Sequence, residues 1–414
     1  MGRRVVVTGC GAICALGENT AALAEALATG RSGVHALEEP FFGRCAQRTL
    51  IAAAQVPITA SPRFLRYELE FLDRVSQQAL IAGTEAFEQS GWVHDSSLAA
   101  NAGVFLGTGM GGAASIERAY ADMLERGKEP RPFSVLSAMN NAAAAHLSMR
   151  FGLKGPNLTI SSACASSAIA IGEAFHAIRS GQIDGALAGG SEACVVPGVV
   201  RAWRALRVLA QSRTADPATS CRPFSADRSG IVLGEGAALL VLESEESAER
   251  RGASVLCELL GYGASADAAH ITNPNFEGQA RAMAAALADA ALEPRDIDYV
   301  NAHGTATPAG DLSETLAIKR VFGDRARQIP VSSTKSVHGH LLGGAGALEF
   351  AACVLAMRGS FLPATMHLAQ SDPECDLDYV ANAPRRGVSI RRFMSNSFAF
   401  GGSNAVLIGG DYSP

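Results

Sequence analysis

The sequence predicts an α/β protein built from two halves that share one strand-and-helix plan. Two observations carry this expectation. Three landmarks occur twice in the same order, and the strands around them are apolar almost without interruption. A strand with no polar face belongs to a sheet buried on both sides, with helices covering it. Two such halves stacked together place helices between and outside two sheets.

The first landmark is an apolar strand ending in Gly-Thr, seen at Val104–Thr108 and again at Val300–Thr305. The second is a strand ending in Ser-Ser, then a turn and a long helix of small residues. It runs from Ile160-Ser161-Ser162 to Arg179-Ser180-Gly181, and from Val331-Ser332-Ser333 to Arg358-Gly359-Ser360. The third is a glycine turn opening an apolar strand, at Gly234-Glu235-Gly236 before Ala237–Leu242 and at Phe400-Gly401-Gly402 before Ala405–Ile408. This recurrence divides the chain into residues 1–253 and 254–414, and chemistry is expected where matching strand ends converge.

Composition narrows the function classes. The chain has 414 residues, 48% hydrophobic and 18% charged, enough for a large core. Its 43 glycines and 6% aromatics suggest tight turns and close backbone approaches rather than an aromatic cage. A net charge of −5 argues against nucleic acid as the main partner. No uninterrupted apolar run approaches membrane-spanning length, and the run Val5–Val7 is too short for a secretory core. The nine cysteines lack zinc spacing and read as reduced, mostly buried residues of a cytoplasmic protein.

Three motifs invite other readings. Val5–Gly17 resembles the start of a dinucleotide fingerprint, but Cys14 stands where the third glycine belongs, so a tight strand-to-helix turn is expected. Gly107–Gly112 lacks the Lys-Ser/Thr of a phosphate loop, which leaves close packing. His338, His340 and His303 suggest a metal, yet two histidines straddling one glycine seldom face the same way, and no metal is expected.

Leu158–Ser167 carries the chemistry. It places Cys164 at a sharp strand-to-helix junction, where the amino terminus of the helix Ala168–Arg179 would stabilise a thiolate and a backbone amide could receive an oxyanion. A buried structural cysteine is the competing reading. The other half supplies His303 and His340, each near a strand end among small and hydroxyl residues.

The motifs ACASS around Cys164, NAHGTATPAGD around His303, SSTKSVHGHLLGGAGALE around Lys335 and His340, and NSFAFGGSN near the C-terminus resemble the β-ketoacyl-acyl carrier protein synthases. The elongating, synthase-II-like branch of the thiolase superfamily is the most similar. The resemblance spans the chain and implies the duplicated, five-layered αβαβα sandwich, with Cys164 in residues 1–253 and both histidines in residues 254–414. It also implies a dimer, no cofactor, and substrates carried on the phosphopantetheine of acyl carrier protein.

The implied reaction is a decarboxylative condensation. Cys164 takes the acyl chain, and His303 and His340 are neutral N–H donors to the enolate left when malonyl thioester loses CO2. The amides of Cys164 and Phe400 receive the oxyanion, and Phe400, with Phe398, gates the site. Lys335 organises the site through an ion pair with Glu349, Thr305 and Thr307 hold the pantetheine arm, and Met110 and a dimer mate's Phe133 line the acyl tunnel.

Apart from these motifs, basic clusters at Arg63/Arg66, Arg126/Lys128/Arg131 and Arg204/Arg207 offer a surface for an acidic carrier protein. Three positions depart from the family pattern: Ala399 between the gate aromatics, where glycine is usual, His338, and Ser403. They point away from a housekeeping fatty-acid role. A catalytic subunit that works only beside a chain-length-factor paralogue is the alternative. A non-catalytic chain-length partner is opposed by Cys164 and the histidines, and a coenzyme A thiolase by the missing C-terminal cysteine.

Overall fold

The computed structural model describes residues 2–37, 52–56, 63–92, 99–212 and 215–414. Two five-stranded mixed sheets repeat one topology. The first runs Asn157–Ile160, Ala102–Gly107, Gly185–Glu192, Gly236–Ser244, Val5–Cys14. The second runs Val331–Ser332, Tyr299–Asn301, Arg392–Phe398, Ser403–Gly410, Cys257–Ala266. In each, the first three strands are parallel and the last two join antiparallel. The two sheets meet where Val5–Val7 pair with Cys257–Leu259. All three landmarks therefore fall on matching strands or helices.

Side-chain alternation along the strands separates the layers. Leu239 and Val241 join an outer core under the helices Arg74–Ser90 and Ala142–Phe151, while Leu240 and Leu242 face a central one. In the second sheet Leu407 and Phe393 face the central core, and Val406, Ile408 and Met394 face an outer core under Phe276–Asp289 and Pro308–Phe322. The central layer holds the two small-residue helices, Ser166–Arg179 and Ala345–Gly359. Being covered on both sides, they must be apolar nearly all round. The window Leu342–Gly359 has the length and hydropathy of a membrane span, yet 83% of it is buried here. These layers form the expected αβαβα sandwich.

One expectation fails at the amino terminus. Val5–Cys14 is a single continuous strand rather than a tight turn, and the helix Thr20–Thr29 begins later, capped by Asn19. Gly9 and Gly11 instead admit the helix Arg74–Ser90 against the strand. A Cβ there would lie 2.0 Å from the Ala86 carbonyl oxygen and 1.9 Å from that of Ala82. The Gly107–Gly112 run does serve close packing, since a Cβ on Gly107 would fall 2.2 Å from the Ser167 nitrogen. The eight described cysteines are free and buried, and Cys45 lies outside the described residues.

Candidate active site

Cys164 follows the strand Asn157–Ile160, two residues before the helix Ser166–Arg179. Ala163 sits at φ 46°, a left-handed conformation that costs a β-carbon residue energy and is tolerated where the surroundings fix it. Ser166 fixes it here: its hydroxyl donates to the Ala163 carbonyl at 2.6 Å and accepts from the Ser162 amide at 2.8 Å. Ser167 accepts from the Ala347 amide at 3.0 Å and ties the elbow to the second central helix.

The second half delivers both histidines to this elbow. His303 follows the strand Tyr299–Asn301, and Glu314 of the helix Pro308–Phe322 pins its loop by accepting the His303 and Gly304 amides at 2.8 and 2.7 Å. His340 follows the short helix Lys335–His338 through Gly339 at φ 68°. Its backbone docks on the strand Leu233–Gly234, its amide donating to Val232 at 2.7 Å and its carbonyl accepting from Gly234 at 2.8 Å. The imidazole Nε2 then stands 3.0 Å from Cys164 Sγ, and the two histidine rings lie 5.2 Å apart.

Lys335 and Glu349 are fully buried and form an ion pair. The Lys335 ammonium, which can only donate, lies 3.2 Å from His303 Nδ1. Nδ1 must therefore accept, which leaves the His303 proton on Nε2. Burial, with help from Lys335, holds both His303 and His340 well below the usual imidazole range, so both rings are neutral at physiological pH. His340 Nδ1 is buried with no partner among the described residues, so no second bond locks that ring's tautomer.

His338 faces elsewhere. Its Nδ1 donates to the Gly339 carbonyl at 2.8 Å, and its Nε2 accepts from Thr334 at 2.9 Å. Cys164, His303 and His340 do place one potential ligand atom each within 4.8 Å of one another. The ammonium behind His303 opposes a cation there.

The sulfur departs from expectation. The helix Ser166–Arg179 begins two residues beyond it, but burial raises its pKa from 9.0 to about 12, against smaller opposing pulls from Lys335 and the Phe400 amide. A helix terminus is worth at most about 2 kcal/mol, or roughly one and a half pKa units, which burial outweighs. The resting group is a thiol. Because its pKa is raised, thiolate is scarce below pH 10. Alkylation of Cys164 by a small haloacetamide should therefore climb about tenfold per pH unit from pH 7 to 10. A plateau near pH 8 would contradict the buried thiol.

Phe398 and Phe400 both line the cavity at Cys164. Phe398 ends the strand Arg392–Phe398, and its ring meets the His303 imidazole edge-on at 6.1 Å. Phe400 sits in a turn closed by the Ala399 amide on Ser403 and the Gly402 amide on Ala399. Its own amide reaches the Cys164 sulfur. A cavity of about 320 Å3 runs to Cys164 past Thr305, Thr307, Phe398 and Phe400. The two threonine hydroxyls are 3.0 Å apart, and Thr307 also caps the helix Pro308–Phe322.

Met110 and Phe133 lie outside this cavity. Met110 is partly exposed, and Phe133 packs on Phe71 with ring centroids 4.1 Å apart. Among the basic residues, Arg63, Arg66, Lys128, Arg131 and Arg207 are exposed. Arg63 pairs with Glu18 and Arg126 with Asp122, and Arg204 is half-buried. Arg207 alone of these borders the cavity.

Three positioning residues escaped the sequence reading. Glu314 is one. Glu192 accepts the amides of Gly109, Met110 and Gly343 at 2.6, 3.1 and 3.0 Å, joining the Met110 loop to the turn after His340. Trp203 stacks on Phe400. The available signal for Glu192 was an acid closing the apolar strand Gly185–Glu192.

A cysteine sulfur 3.0 Å from an imidazole is equipped for acyl transfer, and thioester carbonyls exchange readily with sulfur. Residues 2–248 and 256–369 match the β-ketoacyl synthase N-terminal and C-terminal domains, and the chain belongs to that family. It is 45% identical over 408 residues to nodulation protein E of Rhizobium meliloti, covering 98% of this chain and 99% of that protein. It is 39% identical over 413 residues to 3-oxoacyl-[acyl-carrier-protein] synthase 2 of Staphylococcus aureus (strain COL), covering 98% of each. The solved ishigamide ketosynthase/chain length factor superposes with a TM-score of 0.90 at 34% identity, covering all of both chains.

Proposed function

We propose that this enzyme condenses a Cys164-bound acyl chain with malonyl-acyl carrier protein, releasing CO2 and giving β-ketoacyl-acyl carrier protein. The observation that carries this reading is the convergence of Cys164 Sγ with two neutral imidazoles, one of them 3.0 Å away. The Cys164 proton passes to His340 Nε2 as sulfur attacks the incoming thioester, and returns to the departing pantetheine thiolate. In the second half-reaction the malonyl C–C bond breaks and its electrons form an enolate. His303 Nε2–H, fixed by Lys335, donates to that oxygen, and His340 joins it with its proton on Nε2. The enolate carbon attacks the acyl carbonyl, whose oxyanion rests on the Cys164 and Phe400 amides, and collapse expels the Cys164 thiolate, which takes up the one proton the net reaction consumes from solvent to restore the resting thiol. The test is acyl-enzyme formation followed by malonyl-dependent release of CO2 and β-ketoacyl product. Acylation without CO2 release would remove the condensing role.

The cavity of about 320 Å3 that leads to Cys164, with Thr305 and Thr307 in its lining, supports a pantetheine arm there. No bound cofactor is required, because the carrier's phosphopantetheine brings each acyl group. Exposed Arg66, Lys128, Arg131 and Arg207 fit an acidic carrier protein. Arg66→Glu should weaken use of carrier-bound substrate severalfold while sparing a small thioester mimic, with added salt shrinking the gap. Equal losses on both substrates would remove Arg66 from docking.

The first sheet ends at Asn157–Ile160, an edge with Leu158 exposed, and Val135, Leu136 and Met139 are exposed as well. An apolar edge of this kind calls for a covering partner, which supports a dimer. The likeness to a ketosynthase/chain length factor favours, as a second reading, a heterodimer with this chain as its catalytic subunit, and the likeness to nodulation protein E supports a specialised acyl product over housekeeping elongation. A biosynthetic enzyme using carrier thioesters belongs in the cytoplasm. Sedimentation and turnover, alone and with a paralogue added, separate the two assemblies: activity only in the mixture means the heterodimer.

Met110 belongs to the acyl tunnel in this reading, completed by a partner's Phe133. Met110→Trp should shorten the longest acyl chain accepted while leaving acetyl transfer largely intact. An unchanged chain-length profile would exclude Met110 from the tunnel.

A further inference from the structure

The helix Pro197–Ala205 buries only Val200, yet it carries one of the chain's two tryptophans. Trp203 spends its ring on the gate. It stacks on Phe400 with centroids 6.0 Å apart and planes 20° from parallel, within the range of favourable offset stacking. It also packs on the apolar cluster that contains Cys164, Val200 and Leu342.

The loop beyond Phe400 has little else to hold the aromatic ring. Gly401 and Gly402 take φ 85° and 76°, and a Cβ on Gly401 would meet nothing within 4 Å. The backbone is tied by the Gly401 amide to the Ile271 carbonyl at 2.7 Å and by the turn between Ala399 and Ser403. Trp203 holds the Phe400 ring from the opposite wall, and the Phe400 amide lies on the Cys164 side and lowers the thiol pKa.

We propose that Trp203 is a positioning residue that latches Phe400 in place, so that the Phe400 amide faces the reacting centre only while the two rings are stacked. This rests on the cysteine-acylation reading above. The latch joins the two halves of the chain, Trp203 from the first and Phe400 from the second. A stack of this strength biases an open–closed equilibrium roughly two- to tenfold. It is therefore strong enough to favour the closed gate and weak enough to be released by an entering acyl chain.

The test combines kinetics with emission. Trp203→Ala should lower the rate constant of Cys164 acylation two- to tenfold with little change in KM for the carrier thioester, and Trp203→Phe should restore most of it. A purely structural role would lower the melting temperature without that split. The emission of Trp203, obtained as the difference between the parent and Trp203→Phe, should change in Phe400→Ala and again when the parent is acylated at Cys164. Parent-like acylation by Trp203→Ala, or Trp203 emission indifferent to both perturbations, would overturn the latch. A parent enzyme that takes no acyl chain would instead sink the proposed function, and Phe400→Ala would still decide the stack.

Discussion

Cys164→Ala is expected to abolish condensation and to eliminate labelling of the site by cysteine-directed inhibitors. The other described cysteines are buried and none shares the elbow, so no neighbour can replace the lost sulfur. The substitution removes one atom from a loop that Ser166 holds through two backbone contacts, so the fold should survive. Loss of activity with an unchanged melting temperature would then report chemistry rather than unfolding. Intact-protein mass spectrometry after incubation with acyl-carrier thioester checks the assignment. An acyl adduct on the alanine variant would show that the nucleophile lies elsewhere.

Loss of either histidine should nearly stop CO2 release. Among the described residues His303 and His340 are the imidazoles that converge with Cys164, and removing one donor to a developing oxyanion costs on the order of 3 kcal/mol, or roughly a hundredfold in rate. His303→Ala should leave acylation of Cys164 nearly intact, because its ring faces His340 rather than the sulfur in hydrogen-bond geometry. His340→Ala should slow acylation as well, since its Nε2 receives the thiol proton. Lys335→Ala should resemble His303→Ala in decarboxylation, because it frees the His303 tautomer and strands Glu349 in the core. Labelled malonyl thioester measures CO2 directly. Parent-like release from both histidine variants would refute the enolate role.

The depressed imidazole pKa values give a pH direction. Both rings stay neutral as pH falls through 6, so decarboxylation should not acquire an acid limb at the ordinary histidine pKa near 6.5. On the stability side, a buried neutral histidine is charged more easily when unfolded. Its lowered folded pKa therefore costs stability as pH drops below the unfolded value, and nothing above it.

The sequence by itself determined the duplicated plan and singled out Cys164, His303 and His340, which the fold brings together. Unbroken apolar strands can only be buried on both faces, and a cysteine at a small-residue elbow with histidines at matching strand ends leaves few chemical alternatives. Lys335 and Glu349 were legible through motif resemblance, and the fold pairs them from two different helices, Lys335–His338 and Ala345–Gly359. The amino-terminal glycines misled, since a glycine reads alike whether it turns the chain or admits a helix; only the 1.9 and 2.0 Å approaches to Arg74–Ser90 distinguish these uses.

Tertiary structure alone decided the state of the sulfur and the support around it. A sequence shows that a helix starts near Cys164, but not that water is excluded, and exclusion of water outweighs the helix terminus. Glu192 and Trp203 come from segments distant in sequence from the groups they hold, and Glu314 reaches back from the following helix to the His303 loop. Their roles exist only once folding brings a carboxylate to bare amides, or one ring onto another, because hydrogen bonding and stacking act over a few ångströms and leave no periodic trace along the chain.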